Sequence, residues 1–305
     1  MSIKPVSPMY PALSAAEVRT HLRNFDTAES SLIDAYLMAI QEDIQIQCER
    51  SIVVRKFRLV LPRFPGGTAG LNRMQPFRDS CQNVNTYGSV INLEMVPVRS
   101  IESITYFDAE NESAEYDDFT LFSDAEPAEL RQALGTSWPQ TYFRRDAATI
   151  TFWAGDLVPL TVNASTDQFA SVTGFPFVDW DEVTFSSSGN TNPDIGNVAV
   201  LPDGIVAKTT YFVRDWNSTT KTFKVAATLD GAAINLVTPA TTGQVIDLVF
   251  AGEINPFTKL ALLQMTGKAF GQRCPEGGCV CSEEDFRTNP SLMRLKWRSP
   301  VEFAG

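Results

Sequence analysis

Histidine is almost missing from this 305-residue chain, which has only His21. Ser–His–Asp or Cys–His catalysis would have to be built on that one side chain. It falls on a short predicted helix, Ser14 to Arg23, where an exposed or capping role fits better. Cysteine is scarce and odd in number, with five, so no complete disulfide framework is implied. Cys48 suits the core face of a helix and Cys81 a polar loop. Cys274, Cys279 and Cys281 form a C-x4-C-x-C cluster, but structural zinc usually takes four ligands and no histidine is near. A glycine-rich turn is the simpler reading, and no metal is assigned. No apolar run approaches the ~20 residues that span a bilayer. The amino-terminal stretch, with one lysine and three prolines before Ser14, has no signal-peptide core. Neither a membrane partner nor an export address is expected.

Positive charge is also in deficit. Twenty-five Lys and Arg face 36 Asp and Glu, for a net charge of −11. Such a surface opposes nonspecific attraction to nucleic acid phosphates. A phosphate-binding loop, a dinucleotide fingerprint, a nucleophile elbow and a zinc-protease helix are all missing. No pair of carboxylates stands out in an apolar setting. The chain reads as a binding protein: no enzyme, no catalytic residues and no cofactor.

The most organised stretch runs from Asp26 to Leu61. Ile33, Leu37, Ile40, Ile44 and Cys48 recur at helical spacing, with Tyr36 beside them. Asp26 and Glu29 suggest a capping box. After Ser51 the period changes to that of a strand, over Arg55 to Leu61, ended by Pro62 and Pro65-Gly66-Gly67. Residues 1–13 read as an irregular arm, Ser14 to Glu17 as a capping box, and 62–88 as a long excursion without regular structure, of the kind that is usually a binding or a mobile loop. Strands are predicted at Val90–Leu93, Ile101–Phe107, Phe119–Phe122 and Thr149–Trp153. The acidic stretch between Asp108 and Asp118 lacks calcium-loop ordering and reads as a solvated hairpin tip.

From about Asp156 to Asp247 the composition turns to Thr, Ser, Val, Asn and Gly. Strands are predicted at Leu160–Val162, Glu182–Phe185, Thr209–Val213, Thr222–Ala226 and Val245–Phe250. Ile150 to Gly155 is echoed by Leu248 to Gly252, as an insertion into a strand-to-helix connection would leave it. A last helix follows Asn255-Pro256, with proline at its first turn. The predicted fold is α+β: a helical core with a small antiparallel β region (1–155 and 250–305), plus an inserted all-β sandwich- or barrel-like module (156–249).

The order of these stretches resembles the head–tail connector (adaptor, or head-completion) proteins of tailed bacteriophages. The helix that enters a strand closing near Phe64-Pro65 is similar to that family's opening. So are Ile91 to Asp108, Glu115 to Phe122, Gly135 to Pro139, Ala148 to Gly155, the helix from Asn255 to Arg273, and Thr288 to Arg298. The resemblance covers roughly 28–155 and 250–298. The β module and the cysteine-rich loop depart from the family pattern.

The resemblance implies a structural virion protein at the particle neck, assembled in the host bacterial cytoplasm. It implies a homo-oligomeric ring, commonly of twelve subunits, below the portal protein. Such a ring extends a channel through which DNA passes without sequence readout, and docks the next neck or tail protein. The helix would pack subunit to subunit through Ile33, Leu37, Ile40 and Ile44, with Arg55 and Arg58 on the following strand. The carboxy-terminal arm, Leu292, Arg294, Leu295, Lys296, Trp297 and Arg298, would reach the portal. Trp and Arg are residue types that commonly anchor interfaces. The main rival is a receptor- or carbohydrate-binding module in which Phe177, Trp180 and Trp216 of the β region carry the function. A further rival is an enzyme using a metal at the acidic loop or the cysteine cluster.

Overall fold

The structure, a computed structural model, describes residues 2–23, 28–65, 90–188, 198–238, 244–246 and 248–271. Among these there are three helices and sixteen strands. The α+β class stands, but strand dominates. The chain divides into two compact units, Met1–Pro8 with Arg55–Gly155, and Met9–Val54 with Asp156–Gly305.

The first unit is built from β1 (Ser2–Pro5), β2 (Arg55–Leu61), β3 (Val90–Leu93), β4 (Val98–Phe107), β5 (Ser113–Glu115), β6 (Phe119–Phe122), β7 (Ala128–Gln132) and β8 (Ala148–Ala154). One sheet has the order β1-β2-β8-β4-β5 and a smaller one β3-β7-β6. Alternation along β2 sends Phe57, Leu59 and Leu61 into the core. Across the ladder Phe57 pairs with Phe152 and Leu59 with Ile150. Ile91, Leu93, Ala128 and Leu130 of the smaller sheet join the same cluster. Phe64 closes it, stacked on Trp138 with ring centroids 5.0 Å apart.

The second unit holds α1 (Ala15–Leu22), α2 (Ser30–Cys48) and α3 (Pro256–Gly271) with β9 (Val158–Asn163), β10 (Gln168–Ser171), β11 (Glu182–Ser188), β12 (Val198–Val200), β13 (Thr210–Asn217), β14 (Thr222–Ala226), β15 (Gln244–Ile246) and β16 (Leu248–Ala251). Six of these strands close a barrel in the order β10-β14-β13-β11-β16-β9. Its strands span 158–251, close to the stretch expected as an insertion. The barrel shares its compact unit with the three helices. Aromatic rings fill the barrel: Phe169 stacks on Phe185 at 4.7 Å and on Phe223 at 5.6 Å.

Polar bonds explain why helices and barrel fold together. Ser14 caps α1 by accepting the Glu17 N–H at 3.2 Å. The return half of the capping box is supplied by Ser188 of β11. Its hydroxyl accepts the Ser14 N–H at 3.1 Å and donates to the Glu17 carboxylate, which also pairs with Lys259 of α3. The segment expected as an irregular arm is held as well. Gln41, fully buried on α2, accepts from Ala12 N–H and donates to the Tyr10 carbonyl, both at 2.9 Å. Arg50 and Asp156 add a two-pronged ion pair with both contacts at 3.2 Å.

Asp26, the expected cap of the long helix, lies outside the described residues. The helix begins at Ser30 and stops at Cys48, short of Ser51, because Glu49 turns left-handed at φ 51° and its N–H bonds the Gln45 carbonyl.

Candidate interaction surfaces

The residues expected at a subunit contact are placed differently by the structure. Ile33, Leu37, Ile40 and Ile44 are at most 4% exposed. They form one core with Val18 of α1 and Ala261, Leu262 and Met265 of α3. Each such side chain contributes roughly 1.5–3 kcal/mol when removed from water, so this face is already spent within its own chain. Arg55 is half-buried, and its Nε donates to the Ser7 carbonyl at 2.8 Å. Arg58 alone of the six is exposed. The arm residues Leu292, Arg294, Leu295, Lys296, Trp297 and Arg298 lie outside the described residues, as do Cys81, Cys274, Cys279 and Cys281.

A second apolar stripe runs along the opposite side of α2. Leu32 and Ile46 are 40% and 65% exposed, and Ala35 and Ala39 between them are exposed too. The steps of three, four and seven keep all four on one face, about 21 Å long at the helical rise. Glu42 and Asp43 border its carboxy-terminal half. Burial pushes the Asp43 carboxyl above the usual aspartate range, and repulsion from Glu42 adds to the shift. The sequence carried the signal for this stripe, a second set at helical spacing, but the longer isoleucine-rich set drew the assignment.

In the first unit the connection from β7 to β8 exposes Leu134 and Phe143 almost completely, at 104% and 98%. The loop beside Phe143 is clamped. Arg144 lies 3.8 Å from the Phe107 ring centroid and donates to both oxygens of Asp146 at 2.7 and 2.8 Å. These hydrogen bonds hold the exposed Asp146 carboxyl below its ordinary range.

Of the aromatic trio proposed for a receptor-binding module, Phe177 is 5% exposed and belongs to the barrel filling. Trp216 packs edge-on against it at 5.9 Å. Trp180 is the one presented to solvent, at 40%. Among the described residues no three His, Cys, Asp or Glu side chains converge as metal ligands would. Also among them, no helix is long and apolar enough to cross a membrane.

No protein-family model matches the chain, and no curated protein matches it. Solved structures similar to it include the neck of an empty GTA particle computed with C6 symmetry. There the identity is 23% and the TM-score 0.39, over 51% of this chain and 71% of the other. The virion of a native gene transfer agent (GTA) particle matches at 23% identity and TM-score 0.38, over 51% of this chain and 72% of that one. The neck of a native GTA particle computed with C12 symmetry matches at 20% identity and TM-score 0.34, over 51% and 70%.

Proposed function

We propose that this chain is a structural, non-enzymatic neck protein of a tailed-phage-like particle: a head–tail adaptor that forms a ring below the portal. The ring extends the DNA channel and docks the next neck or tail component. The ordered sequence stretches that resemble the connector family support this reading. The observation that carries it is the two-faced character of α2. One face completes the subunit core, and the other leaves Leu32, Ala35, Ala39 and Ile46 in water. An apolar helix face left exposed in this way suits packing against a second copy. A heterologous contact of that kind closes into a ring when its rotation closes. Subunit packing is therefore assigned to the outer stripe rather than to Ile33, Leu37, Ile40 and Ile44.

The net charge of −11 suits a channel protein past which DNA slides. The carboxy-terminal segment, with Leu295 and Trp297 between Arg294, Lys296 and Arg298, is assigned to the portal.

Mass photometry of the purified full chain tests the ring. The native chain is expected to populate a closed oligomer, and the Leu32→Glu/Ile46→Glu variant to remain monomeric with an unchanged melting temperature. Assembly of that variant like the native chain would remove the stripe from the contact. Trp297→Ala with Leu295→Ala is expected to weaken capture by portal protein without altering the melt.

A further inference from the structure

The barrel carries a second candidate surface, built on its turns rather than on α2. The connection from β10 to β11 presents Val178 and Trp180, and the turn after β14 presents Leu229, which are 65%, 40% and 59% exposed. Arg214 of β13 ties the two turns together. Its guanidinium carbon lies 5.6 Å from the Trp180 ring centroid, and its Nη1 donates to the Gly231 carbonyl. The indole is therefore part of one patch with the Leu229 turn.

The presentation of Trp180 is built. Its backbone sits at φ 78°, a region that bulky side chains avoid and that persists only where the surroundings impose it. Its N–H donates to the Val213 carbonyl at 2.8 Å. On one side Asp179 accepts the Trp216 N–H at 2.8 Å, and on the other Asp181 accepts the Val178 N–H at 2.8 Å. These bonds fix the turn to the barrel wall, so the ring is displayed at little further ordering cost on binding.

Charge specifies the occupant. Asp179, Asp181 and Asp230 are exposed on these turns, and Asp215 is exposed near the carboxy-terminal end of β13. Opposing them are Arg214, engaged as above, and its cross-strand neighbour Lys224. Val178, Trp180 and Leu229 thus form an apolar patch bridged by Arg214, with aspartates outnumbering cations around it. Aliphatic Val178 and Leu229 beside the indole suit side chains better than a sugar face.

We propose that this patch docks a basic, apolar-anchored segment of another protein, its leucine- or aromatic-type anchor against Trp180 and its Lys or Arg side chains on the surrounding aspartates. Such a contact gains much of its rate and selectivity from charge and weakens with salt.

Fluorescence anisotropy with the full chain and two dye-labelled synthetic peptides tests it. One peptide alternates lysine and leucine, and the other replaces every lysine with glutamate. The lysine peptide is expected to bind in a salt-dependent way, and the glutamate peptide not to bind. Trp180→Ala is expected to weaken binding tenfold or more, and so is Asp215→Lys with Asp230→Lys. The double lysine variant keeps the test decisive if Trp180→Ala fails to fold. Failure of the lysine peptide to bind, or equal binding by the native and variant chains, overturns the proposal. So does binding of neutral maltohexaose that Trp180→Ala abolishes while peptide binding is unchanged, which would make the patch a glycan site. None of these outcomes bears on whether the chain forms rings.

Discussion

The two faces of α2 both carry apolar residues at helical spacing and meet opposite fates. On one face Ile33, Leu37, Ile40 and Ile44 are sealed beneath α1 and α3. On the other, Leu32 and Ile46 stand in water with two alanines between them. The difference lies in what the rest of the chain brings to each side. The inner face receives two helices and Phe250 of the barrel. Buried glutamines at 41 and 45 mark the edge of that core, where the segment from Met9 to Leu13 is laid down. A helix that is apolar on both sides needs a second partner, and in this protein we assign that partner to a neighbouring copy.

The comparison is broken most forcefully on the inner face. Leu37→Ala is expected to lower stability by about 2–5 kcal/mol, because the cavity in a three-helix contact closes poorly. Leu32→Ala on the outer face should stay within about 0.5 kcal/mol in the monomer. Urea denaturation of the two variants checks the contrast, and equal losses would mean that both faces are buried.

A smaller effect is expected where helix and barrel join. Ser188→Ala removes both the acceptor of the Ser14 N–H and the donor to Glu17. The cost should be about 1–3 kcal/mol, that of leaving buried polar groups unmade. The loss should appear as one shifted transition for helices and barrel together. Two separated transitions, with the helical signal unmoved, would show that the barrel folds as an independent insert.

The smallest effect concerns the clamp beside Phe143. The Asp146 carboxyl is lowered in the folded state, first by its hydrogen bonds from Arg144. Its stabilisation is therefore fully present above the ordinary aspartate range and is lost as pH falls through the lowered folded value. Both groups are exposed, so global stability should barely move. Amide protection in the loop from Leu134 to Asp146, taken relative to the intrinsic exchange rate at each pH, should fall on acidification, and Asp146→Asn should show the lowered protection already at neutral pH. Protection that is unchanged in both conditions would remove the clamp.

Much of this architecture was readable from residue order. The strands at Val90–Leu93, Phe119–Phe122 and Thr222–Ala226 coincide with the predicted ones, since each is a β-branched or aromatic run between turn residues. Strand β1 went unread because it is short and polar and ends in Pro5. Strand β7 went unread because Glu129 and Arg131 interrupt its apolar set, although Ala128 and Leu130 alternate into the core. The site was less legible than the fold. Periodicity says that a helix has an apolar face, not which of two such faces the chain will cover. Nor could sequence show Trp180 being turned outward while Phe177, three residues earlier, fills the barrel. That choice is made by the bonds of Asp179 to Trp216 and of the Trp180 N–H to Val213, which need the folded strand β13 beside them.

The central claim, that this chain forms a neck ring through the outer face of α2, is tested most directly by a cryo-EM reconstruction of the particle neck. The account expects this chain in a closed ring below the portal, with Leu32 and Ile46 of each copy packed against its neighbour. A portal–tail junction built wholly from other chains, or a ring in which that face of α2 meets only solvent, would contradict it.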